Sequence, residues 1–182
     1  MVTSRINFEL DAASEVWHAL RVLKICENAD VFLIKRKREW IRGLIAIVFD
    51  YDSILASKMI YKYFLEKPWI MEFSEKIIPV EFVSNDINEV ASWVLETAKK
   101  RISSESKWKV EIYKHSAMHK TLHVIEKVTK DINWGKVDLT NPDWIIHIDI
   151  IKRTLAASII KPNTIIRKKI IKQKLIKKEL TL

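Results

Sequence analysis

Three histidines, His115, His119 and His123, recur at intervals of four residues. On one continuous helix that spacing lines a single face, a geometry used for metal ligation. Ser116 reads as a helix cap, which would leave His115 outside the helix. No acidic residue lies among the three, and the only cysteine, Cys26, is far away in sequence. A solvated face suits two helical histidines as well. Lys114, Lys120 and Lys127 share the neighbourhood. That company favours an RNA-facing role, since imidazole can stack on or hydrogen-bond to a nucleotide.

Other reactive side chains are sparse. Cys26 falls on an expected helix among apolar residues, where a small buried thiol is the usual outcome. His18 lies eight residues before it and nothing local activates the thiol. Asp138 and Asp143 flank a polar turn, Thr140-Asn141-Pro142-Asp143, and are expected to brace it; acid–base chemistry is the alternative. Asp149 shares a strand face with His147, and a hydrogen bond or ion pair with Lys or Arg is expected for it. Of the seven tryptophans, Trp93, Trp108 and Trp144 sit in apolar patterns and read as core. Trp134, next to Gly135 at a helix end, is the candidate for an exposed stacking platform.

The basic residues form a constellation in three parts. Lys114, His115 and Lys120 stand at a strand end and helix start. Lys152 and Arg153 interrupt two apolar runs. Arg167, Lys168, Lys169 and Lys172 lie in the tail, and Lys136 follows Gly135. Cations so grouped neutralise phosphates and release counterions. They position a nucleic acid without reading its sequence. The net charge of +9 is concentrated at the end of the chain, where residues 161–182 carry eight Lys or Arg and one acid. A solvated, lysine-rich terminus is the plain alternative.

The elements that must hold these residues follow from periodicity. Ile6, Phe8 and Leu10 alternate, predicting a strand over 5–10, then a helix from Asp11 to about Glu27. Strands are expected over 31–34 and 40–49, with Lys35-Arg36-Lys37-Arg38 as a charged connection. A helix capped by Asp50 or Asp52 runs to about Phe64, ended by Pro68. A fourth strand, 77–83, contains Pro79 and so belongs at an edge or bulge. This β-α-β-β-α-β order is that of the ferredoxin-like split fold. Asp86-x-x-Glu89 resembles a capping box opening a helix to Ile102. A strand follows at 108–113, then a helix from Ser116 to about Ile132. Trp144–Ile151 and Thr154–Ile160 read as two strands, hairpin or adjacent, apolar on both faces and hence covered on both sides. Apolar pairs in the tail recur every five residues, fitting neither helix nor strand. A coil that orders on binding is expected there, with a membrane-surface helix as a competitor that lacks the needed moment.

Composition narrows the classes. Only Gly43 and Gly135 are present. A phosphate-cradling loop needs clustered glycines, so nucleotide-dependent catalysis by such a loop is disfavoured and no cofactor is expected. No apolar run reaches the ~18–20 residues of a membrane span. No secretion signal is evident and one cysteine cannot form an internal disulfide, so a cytoplasmic protein is expected.

The segment KVDLTNPDWIIHIDIIKRTLAASIIK, residues 136–161, resembles the end of a THUMP domain, an RNA-binding module of RNA-modifying proteins. The likeness lies in Val137-Asp138-Leu139, then Asn141-Pro142, then a strand ending in Asp149-Ile150-Ile151-Lys152. Ile78 to Val94 is also similar, and Arg167-Lys168-Lys169 matches a basic segment of the stand-alone THUMP proteins that help a tRNA acetyltransferase make N4-acetylcytidine. The resemblance implies an α+β chain: a ferredoxin-like domain (1–83), an α/β THUMP domain (84–164) and a basic tail (165–182). It implies binding of the tRNA acceptor end. About 22 residues follow the module, so the resemblance implies a cytidine acetyltransferase acting in trans and no catalysis by this chain. A small metal-dependent enzyme using His115, His119 and His123, or a basic protein-interaction scaffold, are the alternatives.

Overall fold

The computed structural model describes residues 1–36, 39–115 and 120–179. They fall into two units, Met1–Pro79 with Asn163–Leu182, and Val80–Pro162. The first opens with β1 (Val2–Ser4), α1 (Glu9–Val22), β2 (Asp30–Arg36), β3 (Glu39–Val48), α2 (Ser53–Glu66), a 3-10 turn at Pro68–Ile70 and β4 (Ser74–Ile77). The strand expected over 5–10 is absent. Asn7 takes a positive φ of 71°, which ends the extended run, and α1 starts at Glu9. Ile6 and Leu10 are exposed. The inward stripe of α1 is instead Ala12, Ala13, Val16, Ala19 and Leu20. Small residues let the helix lie close to its sheet, and their weak apolar signal hides the helix start. Asp52 caps α2, accepting from the Leu55 N–H at 2.7 Å. Gly43 has φ 72°, and a Cβ there would meet the Ser4 carbonyl oxygen at 2.8 Å.

The strand expected over 77–83 is two strands. β4 ends at Ile77, and β5 (Phe82–Ser84) belongs to a different sheet. Pro79, which has no N–H for a ladder, stands between them and closes the first unit's opening segment.

The second unit continues with α3 (Ile87–Arg101), β6 (Lys107–Lys114), α4 (Thr121–Thr129), β7 (Lys136–Val137), β8 (Trp144–Ile151) and β9 (Thr154–Ile160). Its sheet runs β5-β9-β8-β6-β7, with β6 parallel to β7 and β8, and β9 antiparallel to β8 and β5. Val90, Val94 and Ala98 of α3 and Val124 and Val128 of α4 pack with Ile146, Ile148, Ile150, Leu155 and Ile159. Asp86 caps α3 through the Asn88 N–H at 2.8 Å, but Glu89 bonds the Ser84 hydroxyl, so the reciprocal capping box does not form. Arg101, at the end of α3, grips Glu81 with two hydrogen bonds of 2.8 and 2.7 Å and donates to the Ile159 carbonyl at 2.6 Å. The Ser116 start expected for α4 lies outside the described residues. β8 and β9 form a hairpin whose two-residue turn is Lys152-Arg153, with Lys152 at φ 57°.

The chain then returns to the first unit. After a 3-10 turn at Pro162–Thr164 come β10 (Ile166–Arg167) and α5 (Lys168–Glu179). The first unit's sheet is antiparallel in the order β10-β4-β1-β3-β2. The tail is therefore a strand and a helix, not the expected coil. Ile166 and Ile171 are fully buried in the first unit's core, each contributing about 1.5–3 kcal/mol. The Ser57 hydroxyl donates to the Thr164 carbonyl at 2.8 Å. Among the described side chains of α5, Ile171 is the buried apolar one, a pattern too thin to read as helical periodicity.

Candidate nucleic-acid interface

In parallel strands the carboxyl ends share one edge of the sheet, where connecting loops can gather ligand-binding groups. β6 and β8 set up such an edge in the second unit. Lys114 lies opposite Ile150, and the His115 N–H donates to the Ile150 carbonyl at 2.9 Å. The β8–β9 turn emerges there and exposes Lys152 and Arg153. α4 carries the chain back toward the start of β8, so its N-terminal end, with exposed Lys120 and His123, faces the same edge. Among the described residues no side chain caps that end, where the helix dipole favours an anion. Lys114, Lys120, Lys152 and Arg153 are thus assembled by topology, although they span forty residues of sequence.

His115 is not a free ligand. Its Nε2 is 2.9 Å from Asp149 Oδ1, and His147 Nε2 is 2.9 Å from Asp149 Oδ2. Asp149 therefore bridges two imidazoles, in place of the expected Lys or Arg. His147 and Asp149 are buried, and the Tyr113 ring centroid lies 5.2 Å from that of His147. Burial would raise the Asp149 carboxyl; the hydrogen bonds from His115 and His147 and their charge outweigh it and hold the group far below the usual carboxylate range. The arrangement fixes the His115 ring at the end of β6, hydrogen-bonded to the buried Asp149. The sequence signal was His147-x-Asp149, two polar residues on one face of an otherwise apolar strand.

Among the described residues, the expected histidine metal cluster is not assembled. His115 is committed to Asp149, His119 lies outside the described residues, and His123 is on the exposed face of α4. No group of three metal-ligating side chains occurs among the described residues. Burial pushes the Cys26 thiol up, away from the nucleophilic thiolate.

Trp134 and Lys136 stand at the other end of β6. Lys136 pairs with Lys107, the first residue of that strand. The Trp134 indole N–H donates to the Ile102 carbonyl at 2.8 Å, and its own carbonyl accepts from the Trp108 indole at 3.1 Å. Trp134 is half-buried and packed into the core, which corrects the stacking-platform expectation. Gly135 takes φ 72°, and a Cβ there would meet Ser106 O at 2.8 Å and Trp108 Cδ1 at 2.9 Å. Asp143 accepts from the Lys107 N–H at 2.8 Å. Asp138 accepts from the N–H groups of Thr140 and Asn141 and pairs with Lys107 at 3.1 Å. The Asn141 N–H, then Lys107 and the Thr140 N–H, hold its carboxyl below the usual range. Both acids brace the turn.

The tail cations divide. Lys168 is buried, donates to the Glu72 carbonyl and pairs with Glu75 at 3.2 Å. It is a structural cation, not the expected phosphate contact. Arg167 is half-buried, while Lys169 and Lys172 are exposed. All four belong to the first unit, so the three-part constellation is divided between the two units. The first unit also has an open depression lined by Trp17, Asn28, Asp30, Val48 and Asp50. Its two carboxylates and lack of cations are unsuited to phosphate.

The THUMP domain family matches residues 84–159. No curated protein matches the chain. Among solved structures, the chain is similar to PH1313 from Pyrococcus horikoshii Ot3, with a TM-score of 0.59 and 19% identity over 88% of this chain and 54% of that one. It is similar to a 4-thiouridine synthetase in complex with RNA and ATP, with a TM-score of 0.52 and 14% identity over 91% and 41%. It is also similar to TrmN from Thermus thermophilus, with a TM-score of 0.55 and 12% identity over 87% and 43%. The chain thus spans about half, or less, of the length of these structures. At these identities the likeness is one of fold. The family match covers the strands and helices that build the cationic edge, and residues 84–159 are a THUMP domain.

Proposed function

We propose that the protein binds tRNA at its acceptor end and presents it to a separate cytidine acetyltransferase that forms N4-acetylcytidine. The protein itself performs no chemistry. The observation that carries this reading is the gathering of Lys114, Lys120, Lys152 and Arg153 at one edge of the THUMP sheet. Such an edge suits a phosphate backbone. A similarly folded structure, the 4-thiouridine synthetase, was solved with RNA. The first unit's β-α-β-β-α-β order and antiparallel sheet support reading it as ferredoxin-like, the companion expected of a THUMP domain. No helix among the described residues is long and apolar enough to cross a membrane. We place the protein's work in the cytoplasm, with tRNA and the acetyltransferase as partners. Holding tRNA for the enzyme raises its local concentration there.

The test is reconstitution. Purified protein, tRNA and a tRNA cytidine acetyltransferase are combined with acetyl donor, and N4-acetylcytidine is measured with and without this chain. Stimulation that disappears in a Lys114→Gln/Lys152→Gln/Arg153→Gln variant is the expected result. Acetylation unaffected by the protein, or a modified nucleoside made by this chain alone, would overturn the reading.

A further inference from the structure

Of the tryptophans whose side chains are described, Trp69 is the one that stands in solvent, 71% exposed. It occupies the 3-10 turn at Pro68–Ile70, directly after α2. The turn is fixed on both sides. Pro68 and Met71 are buried, and the Ile70 N–H donates to the Lys67 carbonyl at 3.2 Å. Immediately downstream, the Glu15 carboxylate accepts from the N–H groups of Glu72, Phe73 and Ser74 at 2.7, 2.6 and 2.8 Å. Trp69 is thus a large flat ring presented outward on a turn whose backbone has little freedom left to lose on binding.

The surroundings indicate the ligand. α5 packs against this turn. It is anchored by Lys168 to Glu72 and Glu75, and by Lys174 to the Tyr61 hydroxyl at 2.6 Å. Those contacts run the helix past the turn and leave Lys169 and Lys172 exposed. α2 and its end add exposed Lys62 and Lys67. Two exposed acids, Glu66 and Glu72, lie in the same stretch, while Glu75 is occupied by Lys168 and Arg5. Exposed lysines outnumber unoccupied carboxylates on the elements that flank the turn. The cores of protein–protein interfaces are poor in lysine, so this setting is a poor one for a protein partner. An aromatic ring beside cations that can follow a backbone is the arrangement used for unpaired nucleotides.

We propose that Trp69 stacks on an unpaired base of the bound RNA while exposed lysines of α5 and α2 meet the flanking phosphates. The inference rests on the RNA-binding reading above and adds to it a site in the first unit with a defined ligand chemistry. The unpaired base can come from a single-stranded end or a loop.

The test uses the full chain, its Trp69→Ala and Trp69→Phe variants, and three RNAs sharing one stem: blunt with a closed tetraloop, with a four-nucleotide 3′ overhang, and with an enlarged loop. Wild type is expected to bind one or both unpaired RNAs more tightly than the blunt stem. Trp69→Ala should weaken that binding by about ten-fold while leaving the blunt stem unchanged. Trp69→Phe should retain most of the affinity. Equal melting temperatures show that the variants are folded, as expected for so exposed a side chain. If wild type binds RNA but Trp69→Ala matches it on all three, or loses equally on all three, the stacking site is refuted while the RNA-binding reading stands. If wild type binds none of them in dilute buffer, both fall.

Discussion

Asp149 receives a hydrogen bond on each oxygen, one from His115 and one from His147, and it is buried. Replacing it with Asn removes the charge that both imidazoles face, and is expected to cost about 3 kcal/mol in a denaturant titration. Its pKa is lowered in the folded state, so its contribution is complete above the unfolded carboxylate value, about 4. The contribution is lost as pH falls below that value. The stability gap between wild type and Asp149→Asn should therefore narrow in acid; a gap constant from pH 7 to pH 2 would contradict a stabilised Asp149 carboxylate. Gly135→Ala is expected to cost about 1–2 kcal/mol for the left-handed backbone alone, measured as a lower midpoint. Some of this was legible in the residues. Asn-Pro with flanking acids announced a braced turn, and Asp138 and Asp143 brace it. The partner of Asp149 was not legible, because it depends on strand register between β6 and β8. Nor was the exposure of Trp69 as against Trp134, since both sit at helix ends beside a turn-forming residue.

At the scale of elements, the apolar strands and the Asp52 and Asp86 caps were readable; the start of α1 and the helix α5 were not. β8 and β9 are buried on both faces, so their Ile-rich runs have no competing pattern. α1 was displaced because alternation at 6, 8 and 10 outweighed a stripe made mostly of alanine. α5 was unreadable as a helix because Ile171 and Lys168 do its anchoring, and a lysine does not advertise burial. Lys168 and Lys169 are adjacent and opposite in role. Lys168→Gln strips a buried carbonyl and Glu75 of their cation and should lower stability by about 2 kcal/mol. Lys169→Gln and Lys172→Gln should leave the melting temperature unchanged. Thermal melts of the three single variants check this, and equal effects would refute the distinction.

For the molecule as a whole, the sequence put the charge excess in the tail and grouped the basic residues in three parts. The structure instead distributes cations over two surfaces, the strand-end edge of the THUMP domain and the exposed sides of α5. Each phosphate contact removed should shallow the slope of log K against log salt by about 0.7–0.9. The Lys114→Gln/Lys152→Gln/Arg153→Gln variant should therefore lower the tRNA slope by about two to three, read from affinities at several salt concentrations. An unchanged slope would mean that this edge does not touch phosphate. The order of elements from α3 to β9 was readable from sequence apart from the short β7; the division of the chain was not, because Pro79 hides a change of sheet inside one apolar run.

The return of residues 163–182 to the first unit makes the THUMP-bearing unit an insertion within another fold. On a ribosome, Val80–Pro162 emerges as one contiguous piece and can close its own sheet. Met1–Pro79 by then has β4 as a raw edge, and the pocket for Ile171 lies open until β10 and α5 are synthesised. A nascent chain stalled just past Pro162 would hold a finished half beside an unfinished one, and the unfinished half would be the one that chaperones recognise.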